Sequence, residues 1–125
     1  MSVPESPAEF SKSIVCVEDD LDTCEFLSIL LREYRFDYFH SLATAVPELD
    51  RQADLYILDN WLPDGSGVDL CRRIRERYPL APIIFTSAVA GRTHISEAMD
   101  AGADRYLLKP CDPDALQQIV KELLN

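Results

Sequence analysis

The sequence predicts an α/β fold: an open, doubly wound sheet of five parallel strands with helices on both faces. Three observations lead there. Short apolar, β-rich runs begin near residues 13, 35, 54, 82 and 104. The spacings between them, about 20–28 residues, each leave room for one crossover helix. The runs are mostly continuous rather than alternating, as strands covered on both faces must be. Right-handed crossovers leave few topologies for five βα units, and five strands are too few for an eight-stranded barrel.

The elements follow in order. Ile14-Val15-Cys16-Val17 is a buried strand that stops abruptly in acids. From Leu21, the apolar residues Phe26, Leu27, Leu30 and Leu31 recur at helical spacing up to Tyr34. Phe36 to Phe39 is a weaker, aromatic strand. Leu42 to Leu49 is a second helix, with Pro47 set to break or distort it. Leu55-Tyr56-Ile57-Leu58 is the third strand, ending at Asp59. After a loop with Pro63, Gly65 and Gly67, a third helix carries Val68, Leu70, Cys71 and Ile74 to Tyr78. Its Arg72-Arg73-Ile74-Arg75-Glu76-Arg77 run reads as a solvated face rather than a partner patch. Ile83-Ile84-Phe85-Thr86 is the fourth strand. A helix from about Thr93 to Ala101 ends at Gly102. Arg105-Tyr106-Leu107-Leu108 is the fifth strand. Asp112 caps a last helix with Pro113 at its first position and a buried stripe of Leu116, Ile119, Val120 and Leu123.

Composition bounds the function. With 125 residues, 47% hydrophobic and 27% charged, the chain makes one domain with its own core. Residues 1–12, rich in Pro, Glu and Ser, are expected to be a disordered leader, and 13–125 the domain. Twenty-two acids against twelve bases give a net charge of −10, which argues against nucleic acid as a direct partner. No apolar run approaches the roughly 20 residues of a membrane span. The first twelve residues do not resemble a secretory signal. The expectation is a cytoplasmic protein with no membrane partner. Cys16, Cys24, Cys71 and Cys111 lack zinc-ligand spacing and are expected as reduced thiols, Cys16 and Cys71 within the core.

In open parallel sheets the site lies beyond the carboxyl ends of the strands, where the strand order switches. Strand one ends in Glu18-Asp19-Asp20, strand three in Asp59, strand four in Thr86-Ser87 and strand five in Lys109-Pro110. Three carboxylates about 4–5 Å apart repel by roughly 3–4 kcal/mol per pair at an effective dielectric of about 20. The sum rivals the stability of a whole domain. Either one acid is protonated with a raised pKa, or a cation sits among them. Oxygen donors without His or Cys select a magnesium-like ion. Three acids, a divalent cation, a lysine and a hydroxyl are the parts for phosphoryl transfer to a carboxylate. No Gly-x-x-x-x-Gly-Lys loop is present to cradle a nucleotide, so the phosphoryl group must come from another molecule.

These residues resemble the receiver domain of two-component response regulators. The resemblance covers about Ser13 to Leu124. It is carried by the segments Ile14 to Asp20, Ile57 to Gly67, Pro82 to Ala88 and Ala101 to Pro110. It implies a flavodoxin-like sheet of order 2-1-3-4-5. It implies Asp59 as phospho-acceptor, and Mg²⁺ held by Glu18, Asp19, Asp59 and the backbone carbonyl of Trp61. Ser87, Ala88, Lys109 and Tyr106 would form the phosphoryl-binding switch, with a cis Lys109–Pro110 bond. Tyr106 reads equally well as a rotamer switch or as a half-buried strand tyrosine. Ser87 has a plainer reading too, satisfying a backbone group, and Asp20 reads as a helix cap. The implied partners are a histidine kinase or histidine phosphotransfer protein, and a second copy through the face of helix four, strand five and helix five.

The Asp19-to-Asp59 interval is a few residues shorter than is usual in the family, which places the departure around the second strand and helix. Apolar Trp61 and Val89 flank the phosphate position, so slow self-dephosphorylation is expected and the chain is not otherwise an enzyme. Two alternatives stand beside this reading: a Mg²⁺-dependent phosphatase with an aspartate nucleophile, disfavoured by Trp61 where a second Asp is needed, and a docking module that is never phosphorylated.

Overall fold

A computed structural model describes residues 12–125; all of the expected leader except Lys12 lies outside the described residues. Five strands, β1 (Ser13–Val17), β2 (Arg35–Phe39), β3 (Leu55–Asp59), β4 (Ile83–Ser87) and β5 (Arg105–Leu108), form one parallel sheet in the order β2-β1-β3-β4-β5. Helices α1 (Leu21–Leu30), α2 (Leu42–Ala45), α3 (Gly67–Arg77), α4 (Arg92–Asp100) and α5 (Pro113–Leu124) alternate with them. The chain runs from β1 out to β2 and returns to β3 on the other side of β1. The order therefore switches between β1 and β3, where Glu18, Asp19 and Asp59 emerge.

The core has two layers. On one face Val17, Tyr56, Leu58 and Phe85 pack with Leu70 and Ile74 of α3 and Ala98 of α4. On the other, Ile14, Cys16, Ile57 and Ile84 meet Leu27 of α1 and Leu116 and Val120 of α5. Every residue of β3 and β4 is buried, as continuous apolar runs require, whereas the aromatic β2 is an edge strand, half-buried throughout. Asp112 accepts the Ala115 N–H at 3.1 Å and starts α5 with Pro113 in the first turn.

Two helices differ from expectation. α1 stops at Leu30 because Arg32 and Tyr34 bond only three residues back, to Ile29 and Leu31, tightening the chain into β2. α2 is one α-helical turn followed by a 3₁₀ turn, Val46–Asp50. Pro47 has no N–H to carry the α ladder onward. The turn is held from outside: both carboxylate oxygens of Asp64 accept α2 amides, Leu42 N–H at 2.8 Å and Ala43 N–H at 2.9 Å. Those two bonds keep Asp64 below the usual carboxylate range.

The loop after β3 contains a hairpin without sequence warning, Trp61–Leu62 against Gly65–Ser66. It returns the chain tightly enough that Gly67 N–H donates to the Asn60 carbonyl at 2.9 Å. A Cβ on Gly67 would lie 2.0 Å from the Asp59 carbonyl oxygen, so only glycine fits there. Gly102 closes α4 at φ +114°, the left-handed region, as its placement predicted.

The arginine run is solvated at Arg72, Arg73 and Arg77 but not at Arg75. The Arg75 guanidinium donates to the carbonyls of Pro79 and Ala81, both at 2.7 Å, and to that of Gly102 at 2.5 Å. It ties the turn before β4 to the turn before β5. Replacing Arg75 with Ala strands those carbonyls, and should lower the unfolding free energy by about 2–3 kcal/mol in urea titrations. Arg72→Ala, on the exposed face, should change it by less than about 0.5 kcal/mol.

Candidate functional site

Three strand ends meet at the switch in strand order. One carboxylate oxygen from each of Glu18, Asp19 and Asp59 lies within 4.8 Å of the others. Glu18 and Asp59 are buried, and Asp19 is exposed. Lys109, delivered by β5, sets its Nζ 2.6 Å from Glu18 Oε1 and 3.3 Å from Asp59 Oδ1. Glu18 and Asp59 thus share one ammonium group.

Burial pushes the Glu18 carboxyl up to about 7, and the Asp59 charge adds to the rise. The Lys109 ammonium and the Asp20 N–H, 3.1 Å from Oε2, pull the other way without cancelling it. For Lys109, burial disfavours the charge, but Glu18 and Asp59 together outweigh it and hold the ammonium above the ordinary lysine range. One of the two expected answers to the repulsion, an acid with a raised pKa, is therefore present, and Lys109 adds a single positive charge beside it. The set also fits a hard divalent ion. It offers only carboxylate oxygens at this cluster, close enough together to share one ion, on a site left anionic by a single lysine.

The remaining predicted residues gather around this centre. Ser87 is fully buried, and its Oγ accepts the Val89 N–H at 3.1 Å, so in this state its hydroxyl serves the β4–α4 connection. Exposed Ala88 follows it. Tyr106 stacks on Phe85 with planes 8° apart and donates its hydroxyl to the Val89 carbonyl at 2.7 Å. Both switch candidates therefore grip the same residue of the connection. Thr86 lines instead a cleft of about 450 Å³ beside α1, with Phe26, Lys109 and half-buried Cys111. Asp20 caps α1, accepting the Thr23 N–H at 3.1 Å. The Lys109–Pro110 peptide is cis. Cys16 and Cys71 are buried, as expected, and so is Cys24.

Two supporting residues, His40 and His94, carried no sequence signal. His40 Nδ1 lies 3.2 Å from the Glu18 backbone carbonyl, which also accepts the Cys24 thiol at 3.3 Å; the two fix the turn that presents the acids. The Trp61 ring, exposed on the hairpin, rests against His94 of α4.

Comparison with known proteins places this arrangement. The family model for the response regulator receiver domain matches residues 14–121. The chain belongs to the response regulator receiver family. The DNA-binding response regulator MtrA of Mycolicibacterium paratuberculosis is 34% identical over 117 residues, 90% of this chain and 51% of that protein. A two-component response regulator from Clostridium difficile superposes with a TM-score of 0.87 at 29% identity, covering 91% of this chain and 96% of that one. A CheY-like receiver domain protein from Methanospirillum hungatei gives 0.86 at 25% identity, covering 90% and 93%.

The chain spans about half the length of the curated relatives it matches first. That corrects the exclusion of nucleic acid drawn from net charge. MtrA is a DNA-binding response regulator, and the acidity of a receiver domain describes only its own surface, not what a protein containing it binds. Among the described residues no helix is long and apolar enough to cross a membrane.

The raised Glu18 pKa makes a prediction with a definite sign. The folded chain keeps a proton on Glu18 that the unfolded chain releases near 4.5, so without divalent metal its stability should fall as pH rises from about 5 to about 7. Glu18→Gln should flatten that slope. A divalent cation, which needs the ionised carboxylate, should raise the thermal midpoint more at pH 8 than at pH 5.5. Melting curves across that range check all three.

Proposed function

We propose that this receiver domain is a phosphorylation switch that accepts a phosphoryl group on Asp59 from the phosphohistidine of a histidine kinase or histidine phosphotransfer protein. The observation that carries this is the placement of the Asp59 carboxylate: buried, 3.3 Å from the Lys109 ammonium and within 4.8 Å of two further acids. An acceptor must be anionic to attack phosphorus, and the Lys109 ammonium stands beside this carboxylate.

In the transfer, an Asp59 oxygen bonds to phosphorus as the phosphorus–nitrogen bond to the donor imidazole breaks, and the electron pair stays on that nitrogen. Glu18, Asp19, Asp59 and the Trp61 carbonyl would hold Mg²⁺, which when bound neutralises charge on the phosphoryl oxygens. Lys109 supplies the second positive charge. A new phosphoryl oxygen accepts the Ser87 O–H and draws the hydroxyl toward it, away from the Val89 N–H that donates to it, and that movement loosens the connection that Tyr106 also grips. The face of α4, β5 and α5 then shifts, by no more than the phosphate's preference for the shifted state. Beyond slow loss of its own phosphoryl group the domain turns nothing over. Its setting is the cytoplasm, in keeping with free cysteines.

With Mg²⁺ and acetyl phosphate, the wild-type chain should take up one phosphoryl group and Asp59→Asn none, read by intact mass. Stoichiometric labelling of the Asn variant would refute the assignment. Turnover of a general phosphate ester would favour the phosphatase reading instead.

A further inference from the structure

The hairpin after β3 has two residues on each strand, Trp61–Leu62 against Gly65–Ser66, and turns through Pro63 and Asp64. A two-stranded hairpin on its own is marginal in water. This one is fixed at both ends. At its base the Gly67 N–H donates to the Asn60 carbonyl at 2.9 Å. Bonded and non-bonded pairs alternate in an antiparallel ladder, so Trp61 and Ser66, next to that bond, form a non-bonded pair. The ladder therefore leaves the Trp61 carbonyl without a partner in the hairpin, two residues beyond Asp59. At the tip, the two carboxylate oxygens of Asp64 accept the Leu42 N–H at 2.8 Å and the Ala43 N–H at 2.9 Å. Gly65, beside it, lies against the Leu42 side chain with no room for a Cβ between them. The tip is thus tied to the first turn of α2, an element 22 positions earlier in the chain.

We infer that Asp64 is a positioning residue for the divalent cation: by tying the hairpin tip to α2 it holds the Trp61 carbonyl in place as a ligand beside Glu18, Asp19 and Asp59. The inference rests on the Mg²⁺ reading above and deepens it. Asp64 itself ligates nothing, because its carboxylate is engaged by the two amides. It acts through the backbone from Pro63 to Trp61. A carbonyl on a loose loop must be ordered at the moment it takes up an ion, and that ordering weakens binding. A carbonyl already held by a tether at one end of its hairpin and a ladder bond at the other avoids this cost.

The test is the Mg²⁺ dissociation constant of the full chain at pH 8, followed by amide chemical shifts. Asp64→Ala should bind Mg²⁺ about tenfold more weakly, the low end of what supports behind a metal ligand contribute. Asp64→Asn, which keeps one acceptor oxygen, should lose about threefold, half the free energy of a tenfold loss. Ser41→Ala removes the side-chain cap of α2, where Ser41 Oγ accepts the Thr44 N–H at 3.2 Å, and leaves the tether intact. It should melt lower than wild type but keep the wild-type affinity. In the metal-free chain, hydrogen exchange at the Gly67 amide should quicken in Asp64→Ala and not in Ser41→Ala. Wild-type affinity in Asp64→Ala (or in Asp64→Asn, should the Ala variant not fold) would overturn the inference while leaving the Mg²⁺ reading standing. So would a loss in Ser41→Ala as large as that in Asp64→Ala. No Mg²⁺ binding by the wild-type chain would overturn both.

Discussion

Mutual repulsion of three carboxylates is the constraint on which the rest of the site depends. Glu18, Asp19 and Asp59 share a space too small for three free anions, and two of them are buried. Left alone they would cost the domain much of its stability. The chain answers with one ammonium, placed nearer Glu18 than Asp59, and with a Glu18 carboxyl that resists ionising. That compensation is incomplete, and the remaining negative charge is what makes the centre receptive to a cation. An apolar set of the same shape would hold the sheet together equally well and bind nothing.

The fold supplies the convergence. Parallel strands all point their carboxyl ends one way, so residues far apart in sequence, such as Glu18 and Lys109, meet because β1, β3, β4 and β5 lie side by side. Strand alternation then sorts the hydroxyls. Ser87 turns to the connection that Tyr106 also holds, while Thr86, one residue earlier, faces the cleft beside α1. A shift of one residue in the register of β4 would exchange them.

Much of this was legible in the sequence because it depends on local pattern. Apolar runs that end in acids give both the strands and the site edge, and Asp112-Pro113 and Gly102 mark helix ends by rules of backbone chemistry. The unreadable parts all depend on partners distant in sequence. Nothing in the arginine run separates Arg75 from its neighbours, since its acceptors are carbonyls that come within reach only once the turns are folded. Likewise His40 finds Glu18 across 22 positions, and α1 ends at Leu30 although the apolar spacing continues to Tyr34. Net charge, read as excluding nucleic acid, misled because a composition describes one domain and not the protein that uses it.

The carboxylate grip of Asp64 on α2 has a consequence for how this chain can change. A single helical turn cannot sustain itself, so α2 keeps its form by leaning on the segment that follows Asp59. The helix and the loop beside the acceptor are thus tied through one carboxylate, so a displacement of the segment after Asp59 is felt at the first turn of α2.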